Sequence, residues 1–238
     1  MTRYTFDPIG YISSCFKEKF GIPRQPGLIP EARGILEIAP TYSRPEAFSE
    51  LVDYSHIWLT FVFHANLKSQ WKPRVRPPRL GGNQRVGVFA SRSPFRPNPI
   101  GLSVVRLERM ELKSNRVRLH LSGIDLLDGT PVLDIKPYLP YADAIADARS
   151  GYAPAAPEER YRLSFSPAAE KTLQALPLEE SEQLRVLIRR ILALDPRPGY
   201  RRGEEEDRRY GMRLLDYDLH WQIDGDHLLV VSLDTAQE

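Results

Sequence analysis

The sequence predicts a mainly β N-terminal domain, either a barrel or a sandwich, followed by a small α+β C-terminal domain. Up to about residue 140, short apolar runs alternate with glycine and proline. A proline-rich segment without periodicity, SGYAPAAPEER, follows at residues 150–160, and after it apolar residues recur with helical spacing. Because strands and helices bury their side chains with different periods, this change predicts domains at 1–155 and 156–238.

Seven segments of the N-terminal half are rich in β-branched and aromatic residues, which favour strands. They are YTFDPIGYI, GILEIA, HIWLTFVFH, RVGVFAS, GLSVVRLERMEL, NRVRLHLSGI and TPVLDIKPY. In NRVRLHLSGI the period is two, so that Val117, Leu119 and Leu121 share one face and polar residues the other. One helix is predicted in this half, over RPEAFSELVDY at residues 44–54.

The C-terminal half begins with two predicted helices. Ser166 followed by Pro167 is a typical helix start, because serine caps the first turn and proline needs no amide donor there. The second helix, which DPRPG ends, has an apolar stripe of Leu184, Leu187, Ile188, Ile191 and Leu192. Three strands are predicted after it, the last two joined at Asp224-Gly225.

Composition limits the class of protein. With 238 residues, 42% of them hydrophobic, the chain can build one large core or two modest ones. No run approaches the roughly 20 apolar residues of a membrane span, and the first residues lack the basic and apolar regions of a signal peptide. We therefore expect no membrane association and a cytoplasmic location. The single cysteine, Cys15, agrees with a reducing compartment and is expected to be a small buried side chain.

Positive charge is concentrated in one segment, although the net charge is only +2. Residues 54–107 contain no Asp or Glu. Their cations are Lys68, Lys72, Arg74, Arg76, Arg79, Arg85, Arg92, Arg96 and Arg106. The positive electrostatic potential of such a segment favours binding of a polyanion, and nucleic acid or a nucleotide is the first candidate. The alternative is a solvated loop whose charge is balanced by acids elsewhere in the chain.

Several common sites lack their motifs. The sequence contains neither the glycine fingerprint of a Rossmann dinucleotide site nor a P-loop. His56 and His64 share a predicted strand, but eight residues place them roughly 26 Å apart, too far to bind one metal ion. No metal site is expected, and a serine nucleophile in SRSPF is disfavoured.

The segment GVFASRSPFRPNPIG, residues 87–101, is unusually stiff for a loop and is called the proline loop below. Its three prolines restrict the backbone and remove amide donors. Arg92 and Arg96 provide planar guanidinium groups, which suit an anionic ligand.

The proline loop, with PRQPG (23–27), RPPRLGG (76–82) and SGIDLLDGTPVLDIKPYLPYAD (122–143), closely resembles the TsaA/TrmO family of tRNA methyltransferases. The resemblance extends from KEKFGIPRQPG to the DPRPGYR segment. It implies transfer of a methyl group from S-adenosyl-L-methionine to N6 of threonylcarbamoyladenosine at position 37 of tRNA, just 3′ of the anticodon. It also implies a homodimer, and an N-terminal β-barrel, not a Rossmann-like sheet, that binds the cofactor.

Carried over position by position, the resemblance implies a cofactor site assembled from several loops. Its residues are Gln25, Pro26, Gly27, His64, Ala65, Arg92, Leu102, Ser122, Gly123, Ile124 and Asp125. Ala65 and Ser122 depart from the residues common in the family, and we expect backbone contacts at both. Structural roles remain open alternatives: the glycines in turns, Leu102 and Ile124 in the core, and His64 at a strand end.

The implied acceptor nitrogen carries a carbamoyl group, so a hydrogen-bond acceptor near it would help to remove its proton. Asp125 and Asp134 are candidates, although Asp134 could merely pair with Lys136, and no base is assigned. Arg96 is the expected partner of the threonyl carboxylate. The other residues predicted to contact the tRNA anticodon loop are Arg74, Arg76, Arg79, Asn98 and Lys136.

The C-terminal domain is similar in its predicted elements to RelE/ParE-type toxins, an analogy of fold alone. It could stabilise the barrel or bind tRNA: Arg201, Arg202, Arg208 and Arg209 favour RNA, and the acids at 204–207 oppose it. Two alternative functions remain open. One is a non-enzymatic RNA-binding barrel, and the other is a methyltransferase with a different RNA or a small molecule as acceptor.

Overall fold

The structure, a computed structural model, describes residues 2, 4–67, 70–158, 161–197 and 208–236. Lys68, Arg201, Arg202 and the acids at 204–207 lie outside these ranges. The strands are β1 Gly10–Ser14, β2 Arg33–Ile38, β3 His56–Val62, β4 Arg74–Val75, β5 Val86–Gly87, β6 Ile100–Lys113, β7 Arg116–Ser122, β8 Pro131–Pro137, β9 Arg162–Phe165, β10 Tyr210–Leu214, β11 Tyr217–Asp224 and β12 His227–Thr235. The helices are α1 Pro140–Asp143, α2 Pro167–Gln174 and α3 Leu178–Ala193.

Six antiparallel strands of the N-terminal half close into a barrel in the order β1-β2-β7-β6-β3-β8. Their inward positions alternate with outward ones, and Val117, Leu119 and Leu121 of β7 are buried as the period of two predicted. The predicted fold class is confirmed, with the barrel as the architecture.

Two predictions in this half need correction. Residues 44–54 form no α-helix but two 3-10 turns, Pro45–Phe48 and Leu51–Asp53. Between them Glu50 has φ 59°, a left-handed conformation that cannot continue a right-handed helix. In addition, RVGVFAS contributes only the two residues of β5, which pairs with β4, before a 3-10 turn at Val88–Ala90.

The C-terminal half forms a four-stranded sheet, β10-β11-β12-β9, covered by α2 and α3. The predicted helix start is confirmed, because the Ser166 hydroxyl accepts a bond from the Ala169 amide at 3.2 Å. The apolar stripe of α3 is buried. The β11–β12 hairpin is present, with Asp224 as the last paired residue and Gly225 in the turn. None of the described helices could span a membrane.

Residues 15–21, called the bridging segment below, connect the barrel to this second sheet. Phe16 forms a β-bridge with Leu214, and the Leu215 amide donates to the Cys15 carbonyl at 2.8 Å. The Phe20 ring stacks on Trp221 with centroids 5.8 Å apart. Cys15 is buried as predicted, and its burial raises the pKa of the thiol to about 12. The two sheets thus share one contiguous core, while a domain boundary near residue 155 stays a prediction.

Candidate active site

A cavity of about 460 Å³ opens at the end of the barrel where β3 ends and β6 begins. Its walls come from five separate segments of the chain. Six of the predicted cofactor residues line it: Gln25, His64, Ala65, Arg92, Leu102 and Asp125. Both the volume and the mixture of apolar and polar side chains are typical of a small-molecule site.

Polar side chains of the cavity form hydrogen bonds with one another. The Arg92 guanidinium donates to the side-chain oxygen of Gln25. The Ser103 hydroxyl donates to the Asp125 carboxylate at 2.6 Å. Burial raises the pKa of Asp125 from 3.8 to about 6, although Ser103 and Arg92 act in the opposite direction. The carboxyl group therefore changes its protonation state close to neutral pH, as a general base requires.

The start of β6 shapes the cavity from within the barrel. Gly101 lies against the ring of Phe61, where an added Cβ would come within 2.2 Å of a ring carbon, so only glycine fits. Ser103, the next inward residue, is buried. Ser103 was not among the predicted site residues, although a hydroxyl in the otherwise apolar inward row of β6 is a detectable signal.

A short turn, His64–Asn66, forms another wall. The Lys19 ammonium, from the bridging segment, donates to the Ala65 carbonyl at 2.7 Å and fixes this turn. Burial, and to a lesser degree the charge of Lys19, lowers the pKa of His64, so its imidazole is neutral at pH 7. Lys19 belongs to the KEKFGIPRQPG motif, but its contact with this turn could not be predicted from local sequence, because the fold alone brings the two together.

Five predicted cofactor residues adjoin the cavity without lining it: Pro26, Gly27, Ser122, Gly123 and Ile124. The Gly27 amide donates to the Gly123 carbonyl at 2.8 Å. Gly123 has φ 68°, and an added Cβ would lie 3.3 Å from the Gly27 Cα, so two loops meet at glycine backbones. Ile124 is in the core, and the Ser122 hydroxyl donates to Glu108 at 2.5 Å. These five residues support the walls of the cavity from behind. Their direct contact with the cofactor stays a prediction.

Asp134 and Lys136 do not line the cavity. They lie on β8, are exposed, and form an ion pair with 2.8 Å between Nζ and Oδ2. This favours the structural alternative for Asp134 and leaves Asp125 as the carboxyl group of the cavity.

Apart from Lys136 on β8, the predicted RNA-contacting residues occupy the proline loop and the hairpin before it. Arg96 lines the cavity, and its Nη1 donates to the carbonyls of Val88 at 3.2 Å and Ser91 at 2.7 Å. Arg74 donates to the Arg85 carbonyl at 3.0 Å, and Arg79 to the Ala155 carbonyl. Arg76 and Asn98 are exposed.

Comparison with known proteins covers both halves of the chain. The family model of the tRNA-methyltransferase O N-terminal domain matches residues 11–144, and that of the TrmO C-terminal domain matches residues 158–236. The chain is 48% identical over 224 residues to the tRNA (adenine(37)-N6)-methyltransferase of Escherichia coli, covering 94% of each chain.

A relative and a crystal structure from Pseudomonas aeruginosa each match almost the whole length of the chain. A putative S-adenosylmethionine-dependent methyltransferase is 52% identical over 233 residues, with 98% of each chain covered. A crystal structure of TrmO superposes with a TM-score of 0.78 at 47% identity, again covering 98% of each chain. Because family models match both halves and relatives match nearly the full length, the chain belongs to the tRNA-methyltransferase O family, as its motifs predicted.

Proposed function

We propose that this protein methylates N6 of threonylcarbamoyladenosine at position 37 of tRNA, next to the anticodon. Its family makes it an S-adenosyl-L-methionine-dependent tRNA methyltransferase. One observation carries the finer proposal: a cavity with a single, half-buried carboxyl group, Asp125, opens beside a loop whose charged side chains are all arginines.

The residues of the cavity fit S-adenosyl-L-methionine chemically. Asp125 complements a positively charged sulfonium, and Arg92 complements a carboxylate. Phe61, Phe63 and Leu102 offer apolar surface to the rest of the molecule. When bound, the cofactor supplies a methyl group that a nitrogen lone pair can displace from sulfur. Holding the reactants in line is then the main task of the protein.

Asp125 is proposed to accept the proton of N6. The carbamoyl substituent delocalises the lone pair of this nitrogen and makes its proton more acidic than that of adenine. A carboxylate with a pKa of about 6 is ionised at pH 7 and still basic enough to take part. The bond from Ser103 holds the Asp125 side chain in one orientation.

Arg96 is proposed to bind the threonyl carboxylate. Its Nη1 is used by two carbonyls, which fixes the guanidinium against the proline loop. Within the part of the chain that the structure describes, its Nε and Nη2 atoms make no hydrogen bond, so donors remain for a ligand. Arg74, Arg76, Arg79, Asn98 and Lys136 are proposed to contact the anticodon loop, mainly at phosphates.

The protein is further proposed to act as a homodimer in the cytoplasm, where tRNA is its substrate. Support for a dimer comes from the outer face of β6, where Ile100 and Leu102 line the rim of the cavity and are also exposed. Analytical ultracentrifugation tests the dimer directly, and a monomer at micromolar concentration would contradict it.

Mass spectrometry of tRNA nucleosides tests the function. Purified protein and cofactor are incubated with one tRNA prepared with and without the threonylcarbamoyl group at position 37. We expect methylation of the modified tRNA alone. Equal methylation of both would show that plain adenine is the acceptor, and methylation elsewhere in the tRNA would contradict the assigned position.

A further inference from the structure

Phe89 is the most exposed phenylalanine of the described residues, with 73% of its surface accessible. It lies in the 3-10 turn Val88–Ala90, directly before the cavity-lining residues Ser91 and Arg92. Leaving so large an apolar side chain in water forgoes the stabilisation that burial would give. The position therefore suggests a ligand for the ring.

The turn that carries Phe89 is held firmly. Val88 is buried, and its carbonyl accepts bonds from the Ser91 hydroxyl at 2.8 Å and from Arg96 Nη1. The Val88 amide donates to the Pro73 carbonyl at 3.0 Å. Because Val88 is fixed before Phe89 and the Ser91 amide and hydroxyl close the turn onto the Val88 carbonyl after it, the backbone presents the ring in a preformed position, which lowers the entropic cost of binding.

Arg96 contacts the same ring, with its guanidinium carbon 5.5 Å from the ring centroid. Aromatic rings beside arginines, in a segment without acids, are typical of sites that bind single-stranded nucleic acid. Arg96 also lines the cavity, so the ring and the site of chemistry are linked by one side chain.

We propose that Phe89 stacks on an unpaired nucleobase of the anticodon loop and so positions the target nucleotide at the cavity. This proposal rests on the proposed function. Chemistry at N6 requires the target base to leave its neighbours in the loop, and an aromatic platform compensates for the stacking that is lost. Phe89 would contribute to substrate binding and not to cofactor binding.

Substitution at position 89 tests the proposal, since the side chain is exposed and each variant should fold. We expect Phe89→Ala and Phe89→Leu to lower kcat/KM for tRNA roughly 5- to 150-fold, the range for loss of one stacked base. Phe89→Tyr should keep nearly full activity because its ring remains. Phe6→Ala is the matched control, since Phe6 is also exposed, at 66%, but precedes β1.

A direct readout uses anticodon stem-loops with 2-aminopurine at single loop positions. We expect the wild type to quench at least one probe, and Phe89→Leu to lose that quenching while its cofactor affinity stays unchanged. Equal quenching by the wild type and Phe89→Leu would overturn the proposal. So would a loss of cofactor affinity in Phe89→Leu, or dissociation of this variant where the wild type is a dimer. A wild type that methylates no tRNA would instead overturn the proposed function, whereas an active wild type equalled by Phe89→Ala would overturn the stacking alone.

Discussion

The contact between the two sheets and the loop beside the cavity use similar side chains in opposite ways. Phe16, Leu214 and Trp221 are buried between the sheets, whereas Phe89 next to the cavity and Leu102 in its wall are exposed. Burial of such a side chain stabilises the fold by about 1.5–3 kcal/mol. The buried set therefore maintains stability, while the exposed set adds little to it and remains available to ligands. Substitutions in the two regions should separate stability from activity.

The largest expected effect is on the rate at Asp125. Asp125→Asn should lower the single-turnover rate at saturating cofactor about 10²- to 10⁴-fold, because the proton acceptor is lost. Its thermal stability should not fall, since the amide removes a charge whose burial is unfavourable. Asp134→Asn is the control and should retain the wild-type rate. Similar rates for both variants would remove Asp125 from the mechanism.

The largest expected effect on stability is at Trp221, which is fully buried against Phe20 and Tyr210. Trp221→Ala should lower the free energy of unfolding by about 3–5 kcal/mol, because it leaves a cavity in the core. Urea unfolding measures this, with the exposed Tyr141→Ala as control. Cofactor affinity of the folded variant should change much less. A comparable loss of cofactor affinity would show that the two regions are not separable.

Gly101→Ala should affect both properties, because this glycine belongs to the barrel core and to the cavity. The new Cβ would displace the Phe61 ring, at a cost of about 1–3 kcal/mol, and the displaced ring would narrow the cavity. Gly87→Ala is the matched control, since its φ is −60° and its Cβ would meet no atom within 4 Å. Calorimetry of cofactor binding and thermal unfolding should show both losses only for Gly101→Ala.

The smallest expected effect is the pH dependence of cofactor binding. Below the pKa of Asp125, about 6, the carboxylate fraction falls about tenfold per pH unit, and affinity for the cationic cofactor should fall with it. Because the folded pKa is raised above 3.8, the folded state binds more protons between about pH 4 and pH 6. Stability should therefore fall as the pH rises through this window. Asp125→Asn should flatten the pH dependence of both cofactor affinity and stability. If the affinity of this variant keeps the wild-type pH dependence, the titration belongs to another group.

Most of the strands and the second helix could be predicted because their periodicity is local. The segment at 44–54 has apolar residues at helical spacing, but only Phe48 is buried, and Glu50 breaks the turn. The short strand β9 was missed because its partner, β12, comes more than 60 residues later. Local patterns do not record such long-range pairing.

The candidate site shows the same limit. The family motifs named six residues that line the cavity, since the motifs carry information from related chains. Lys19 and Trp58 were missed because only the closed barrel brings them to the cavity, and Phe63 was missed although it directly precedes the predicted residue His64. Ile124 and Ser122 were named with the others, but their side chains serve the core and Glu108.

The bridging segment has a consequence for how the chain can be divided. Phe16 and Phe20 belong to the N-terminal half, yet they are covered by Leu214 and Trp221 of the C-terminal sheet. A barrel expressed alone, cut near residue 155, would expose this apolar strip to water. We expect such a fragment to self-associate, and Phe20→Glu to restore its solubility, since a charge on the strip opposes aggregation.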